Sequence, residues 1–185
     1  MEEGGDALGV HYLEVVRFQF ERMKGLADRT IAQVEDEDLH RDVCGGGNAI
    51  AVVMRHMAGN MRSRFTDFLN SDGEKPSRDR EGEFASTAKS RAELLGEWEA
   101  GWGVVFAAVD GLGAGDLMRE VKIRGEGLTV MRALQRQVDH NAYHVGQIVM
   151  LGRAVRGEEW RWLSIPPGGS AGATGEYLKR TETGA

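Results

Sequence analysis

From Leu8 to Val34, the residues Tyr12, Val15, Val16, Gln19, Phe20, Met23 and Leu26 recur at the spacing of one helix face. A second periodic stretch follows Gly45-Gly46-Gly47, with Asn48 as its N-cap. It runs through Ile50, Val53, Met54, Met57, Met61, Phe65 and Phe68 to about Asn70. The polar run Ser71 to Arg80 then reads as a loop. A third helix is expected from Thr87 to Val109, and Ser90-Arg91-Ala92-Glu93 offers a capping box and a later start at Ser90. Between Arg119 and Leu128, Val121 and Ile123 alternate with charges, and Gly125-Glu126-Gly127 supplies a turn, so a small hairpin is expected. The fourth helix spans Thr129 to Val155.

Four long helices predict an all-α fold, an up-down four-helix bundle with a small hairpin before the last helix and an irregular C-terminal tail. Residues 1–157 form the bundle in this reading, and 158–185 a tail that packs on it or on a dimer partner. Trp160 and Trp162 anchor that packing, because two indoles do not remain in water beside so polar a segment.

The 185 residues are 41% hydrophobic and 28% charged, which suits one globular unit with its own core. The net charge of −6 disfavours a protein that grips phosphate backbones or anionic lipid. No apolar run approaches the ~20 residues of a membrane span. The acidic start, Met1 to Asp6, has no apolar segment of a signal peptide. The single cysteine, Cys44, excludes an internal disulfide and a Cys-rich zinc site, and the chain reads as cytoplasmic.

Candidate chemistry centres on histidine. His140 and His144 sit four apart, which on a helix is a turn of about 40° and a rise of ~6 Å. Both imidazoles then leave one face and can share an ion. They lie beside the apolar stripe of Leu134, Val138, Val145 and Val149, next to Gln147. His56 occupies a similar polar shoulder on the second helix, in line with Asn60, Ser63 and Asp67. If the shoulders face one another, His56 becomes a third ligand, and three imidazoles leave positions open for water or substrate. Asn141 stands where a zincin carries its glutamate, so that protease class is excluded.

The stretch Arg55-His56-Met57-Ala58-Gly59-Asn60, together with His140-Asn141-Ala142-Tyr143-His144-Val145-Gly146-Gln147, resembles the DinB-like superfamily. Thr66 to Lys75 and Trp162-Leu163-Ser164-Ile165-Pro166 resemble one uncharacterised branch of it, and the similarity covers residues 8 to 170. The resemblance implies a four-helix bundle, often dimeric, holding a divalent metal on three histidines, which carry over to His56, His140 and His144. Zinc or nickel is expected first, then iron or manganese. Characterised relatives include transferases and isomerases that use a small thiol such as mycothiol, bacillithiol or glutathione. A metal-dependent thiol transferase or hydrolase acting on an electrophile is therefore one expectation. A non-catalytic metal-binding or stress-response dimer is the other.

Asn60 and Gln147 read either as groups that hold a ligand histidine or as ordinary helix–helix hydrogen bonds. Arg64 and Asp67 extend the polar shoulder, as contacts to an anionic substrate or as an ion pair. Asp67 is also a candidate for the surroundings of the metal. Cys44 reads as an incidental thiol, His11 and His40 as solvated or capping, and Met54, Met57 and Met61 as core.

Overall fold

The computed structural model describes residues 2–85 and 87–174. Long amphipathic segments free of proline make it predominantly helical: α1 (Glu2–Ile31), α2 (Ile50–Phe65), α3 (Arg80–Phe84), α4 (Arg91–Asp110) and α5 (Val130–Arg156). A two-stranded antiparallel sheet, β1 (Glu120–Ile123) and β2 (Glu126–Thr129), precedes α5. No helix among the described residues is long and apolar enough to cross a membrane.

Several boundaries move for local reasons. Helix α2 ends at Phe65, short of Asn70, because Thr66 is extended and Asp67 adopts a left-handed conformation at φ 50°. Ala49, not Asn48, occupies its N-cap position, and no side chain caps it. The segment expected as loop up to Arg80 runs straight into the short helix α3, capped by the Asp79 carboxylate, which accepts the Gly82 N–H at 2.9 Å. Helix α4 starts after Ser90, where the full capping box forms, rather than at Thr87. The hairpin turns at Arg124-Gly125, one position earlier than expected. Both residues have positive φ (56° and 77°), the pair that lets a two-residue turn match strand twist. Its register faces Val121 to Leu128.

Helix α2 packs along α4 and α1 along α5, and α2 also meets α5. Two glycines allow close approach between these helices. A Cβ on Gly101 of α4 would lie 2.9 Å from the Ala58 Cα of α2, and one on Gly152 of α5 would lie 2.3 Å from Thr30 of α1. The core between them contains an aromatic cluster. Trp102 stands edge-on to Trp98 and Phe20, with ring centroids 5.6 and 6.2 Å away. Helices α2 and α5 run antiparallel, since His56 meets His140 and Asn60, one turn further, meets Gln137, one turn earlier.

After α5, Trp160 is buried against the Gly152 turn. Trp162 is 44% exposed, under the Arg153 guanidinium at 4.5 Å. The Gln33 side chain holds the Arg161 backbone at both ends, accepting its N–H at 2.8 Å and donating to its carbonyl at 3.1 Å. The remainder of the expected tail, 175–185, lies outside the described residues.

Candidate metal centre

Polar shoulders on α2 and α5 do face one another. His56 is buried, His140 and His144 are half-buried, and one ring nitrogen from each lies within 4.8 Å of the others. The Nε2 atoms of His56 and His140 are 3.3 Å apart. Zinc–nitrogen bonds of ~2.0–2.1 Å at a tetrahedral angle place two ligand nitrogens about 3.3–3.4 Å apart, so this pair fits a shared ion.

The other ring nitrogens are held from behind. His56 Nδ1 meets the Glu83 carboxylate at 3.0 Å, and His144 Nδ1 meets the Gln147 amide oxygen at 2.8 Å. Each bond fixes a tautomer with Nε2 free, as for ligand histidines hydrogen-bonded through their second nitrogen. His140 Nδ1 is buried without a partner among the described residues. Burial, with His144 and His56 close by, pushes the His140 pKa down to about 3, and burial also lowers that of His144. Both imidazoles are neutral at pH 7, the form that binds metal.

Glu83 comes from α3, in the unassigned stretch between the loop ending at Arg80 and the helix expected from Thr87. Burial alone would raise its pKa, but hydrogen bonds from Arg78 and His56 outweigh that and hold it below the ordinary carboxylate value. Arg78 grips it through Nε and Nη2, both at 2.8 Å. Gly59 makes room for this carboxylate: a Cβ there would sit 2.1 Å from Glu83 Oε1.

The histidines open into a cavity of about 370 Å³, walled by Phe65, Phe68, Phe84, Tyr143 and Ile123 on its apolar side. A family profile described as "protein of unknown function (DUF1572)" matches residues 7–169, a span that contains every residue of this centre. The chain belongs to the DUF1572 family. Among curated proteins, none matches it.

Other expected residues divide in this DUF1572 chain. Gln147 orients His144. Asn60 lines the cavity but bonds across the helices, its Oδ1 accepting from Gln137 at 3.1 Å, while Gln137 also donates to Asn141 at 2.7 Å. Asp67 is not brought to the histidines. It is exposed in the turn after α2, accepting from Asn70 at 3.0 Å. Arg64 is buried rather than a surface group, and it lines the cavity. Cys44 is exposed outside the cavity, and His11 and His40 stay at the surface. Sequence reasoning missed Glu83, Arg78 and Gln137. The signal for Glu83 was an Asp79 cap followed by Phe84, a short amphipathic turn hidden in a polar run.

Proposed function

We propose that His56, His140 and His144 hold one divalent metal ion, zinc or nickel before iron or manganese, and that the chain is a metal-dependent enzyme of DinB-like type. The observation that carries this is the convergence of three imidazoles from two helices on one point at the floor of a cavity. The long helices α1, α2, α4 and α5 are read as the up-down four-helix bundle of that superfamily. A cytoplasmic homodimer is proposed with them, and Leu8, Val15 and Phe18, exposed on α1, favour a partner copy.

A divalent ion in such a site supplies Lewis acidity and lowers the pKa of a bound thiol or water. The chain does the rest. Glu83 and Gln147 keep the donor nitrogens aimed inward, and the phenylalanines keep bulk water from one wall. No carboxylate lines the cavity among the described residues. This favours S-transfer from a small thiol to an electrophile over hydrolysis, since an ionised thiol needs no protein base to attack. The partners are then small molecules, not nucleic acid or membrane. The same lack of a lining carboxylate favours, as second reading, a metal-binding or stress-response protein without turnover.

Elemental mass spectrometry on untagged protein tests the site. About one divalent ion per chain is expected, lost in His56→Ala and His144→Ala, as for removal of one of three protein ligands. Absence of metal after reconstitution with zinc, nickel and manganese overturns it. Metal-dependent turnover of a thiol with an electrophile, abolished in His56→Ala, decides for the enzyme; bound metal with no turnover decides for the second reading.

A further inference from the structure

Arg64, Arg78, Arg80, Arg124 and Arg136 all line the cavity beside the histidines, and no aspartate or glutamate does among the described residues. In a chain of net charge −6, this is a concentration of positive charge against the overall trend. The carboxylates behind the wall do not consume it. Glu83 takes Arg78. Glu74 is shared by Arg64 at 3.0 Å, Arg124 at 2.8 Å and Arg78 at 3.6 Å. Among the described residues Arg80 pairs with only the exposed Glu81, and Arg136 approaches the exposed Glu126 no closer than 3.6 Å.

Arg64 shows the surplus most clearly. It is 8% exposed, yet only its Nη1 is used, on the Gly73 carbonyl and Glu74. Its Nε and Nη2 have no protein partner among the described residues, and neither do Nη1 and Nη2 of Arg124. Burial depresses the Arg64 pKa, Glu74 opposes that, and repulsion from Arg78 and Arg124 adds to it. Guanidinium donors left open in a partly dry cleft are the usual recognition element for a planar or tetrahedral oxyanion.

We propose that this end of the cavity binds the carboxylate or phosphate group of a small molecule through Arg64, Arg124 and Arg136. The rest of that molecule lies along Phe65, Phe68 and Ile123 towards the histidines. Eight residues of α2 separate His56 from Arg64, about 12 Å of helix rise, so the slot is charged at one end and metal-binding in character at the other. The inference names the substrate class for the centre proposed above and rests on that reading for its purpose, but the oxyanion contacts need no ion.

Calorimetric titration of the protein as purified, with succinate, inorganic phosphate and the uncharged succinamide, tests it. Binding of at least one anion and none of the amide is expected, and which anion binds identifies the group. Arg136→Gln and Arg124→Gln lie at exposed positions and spare the fold. Each is expected to weaken binding about tenfold, the usual loss for one charge-assisted hydrogen bond, while metal content stays unchanged and the control Arg22→Gln, exposed on α1 outside the cavity, binds as wild type. Failure of both anions to bind, equal binding of succinamide, or undiminished affinity in both variants overturns the proposal. Anion binding by a protein that takes up no metal even on reconstitution would sink the metal centre and leave this inference standing; metal without anion binding would do the reverse.

Discussion

Around Trp102 the buried side chains meet through hydrocarbon, while around His56 they meet through nitrogen and oxygen. In the first region, Phe20, Phe65, Trp98 and Trp102 stack edge to face, and among the described residues the polar tie is the Trp98 indole donating to Asp28 at 2.8 Å. In the second, His56, Glu83 and Arg78 form one network, and Asn60, Gln137 and Asn141 a second that ties α2 to α5. Aromatic burial stabilises with little demand on geometry. Buried polar groups cost free energy unless each finds its partner, and even a satisfied network adds little over an apolar packing. The first region holds the helices together. The second adds little stability, and in the reading proposed above it positions the imidazoles.

The largest expected effect breaks the aromatic side. Trp102→Ala should cost about 3–5 kcal/mol of stability, or a fall of ~6–20 °C in Tm for a chain of this size. Metal content per folded chain should be unchanged, as read by elemental analysis below the transition. Metal loss in a variant that is still folded would show that the two regions are not separable.

A smaller effect sharpens the polar side. Glu83→Gln keeps the shape but removes the charge behind His56, and metal affinity should fall about 10–100-fold, as for other groups that back a ligand histidine. Competition with a chelator of known affinity reads this directly. An unchanged affinity would reduce Glu83 to a counter-ion for Arg78.

The helices were legible because each buries a continuous stripe, so the three- and four-residue spacing survives in the chain, as in α5 from Leu134 through Val145 to Ile148. His140 and His144 were legible for the same reason, since a local spacing fixes their common face. Glu83 was not. Its value lies in meeting His56 from 27 residues away, across the gap that Gly59 leaves, and no local period encodes that. Asp67 failed for the opposite reason: it shares the wheel position of the shoulder, but the helix ends before it. Arg64 was seen on the shoulder, while its burial depends on the 72–74 turn folding over it.

The smallest effect lies in that turn. Asp72 accepts the backbone N–H groups of Glu74 at 2.7 Å, Arg124 at 2.8 Å and Gly125 at 2.7 Å, clamping the loop to the hairpin. The Glu74 and Gly125 bonds lead in holding its pKa below 3.8. A folded-state pKa below the unfolded one stabilises above about pH 4, and that contribution disappears as the pH falls through the folded value. The stability gap between wild type and Asp72→Asn, from urea midpoints, should be widest near neutral pH and narrow as the pH falls below about 4. A gap that does not narrow with falling pH would assign the clamp to shape rather than charge.

The sequence separation of the three imidazoles has a thermodynamic consequence. His140 and His144 lie within one turn of α5, whereas His56 is 84 residues from His140 along the chain. A cation can use the near pair whenever that turn is helical, in the unfolded ensemble as well as the native one, and binding to both states cancels from the folding equilibrium. Only the distant imidazole distinguishes the states. If the site holds a cation as proposed, its leverage on folding resides in His56, and the ion would act as a reversible cross-link that closes the chain between α2 and α5.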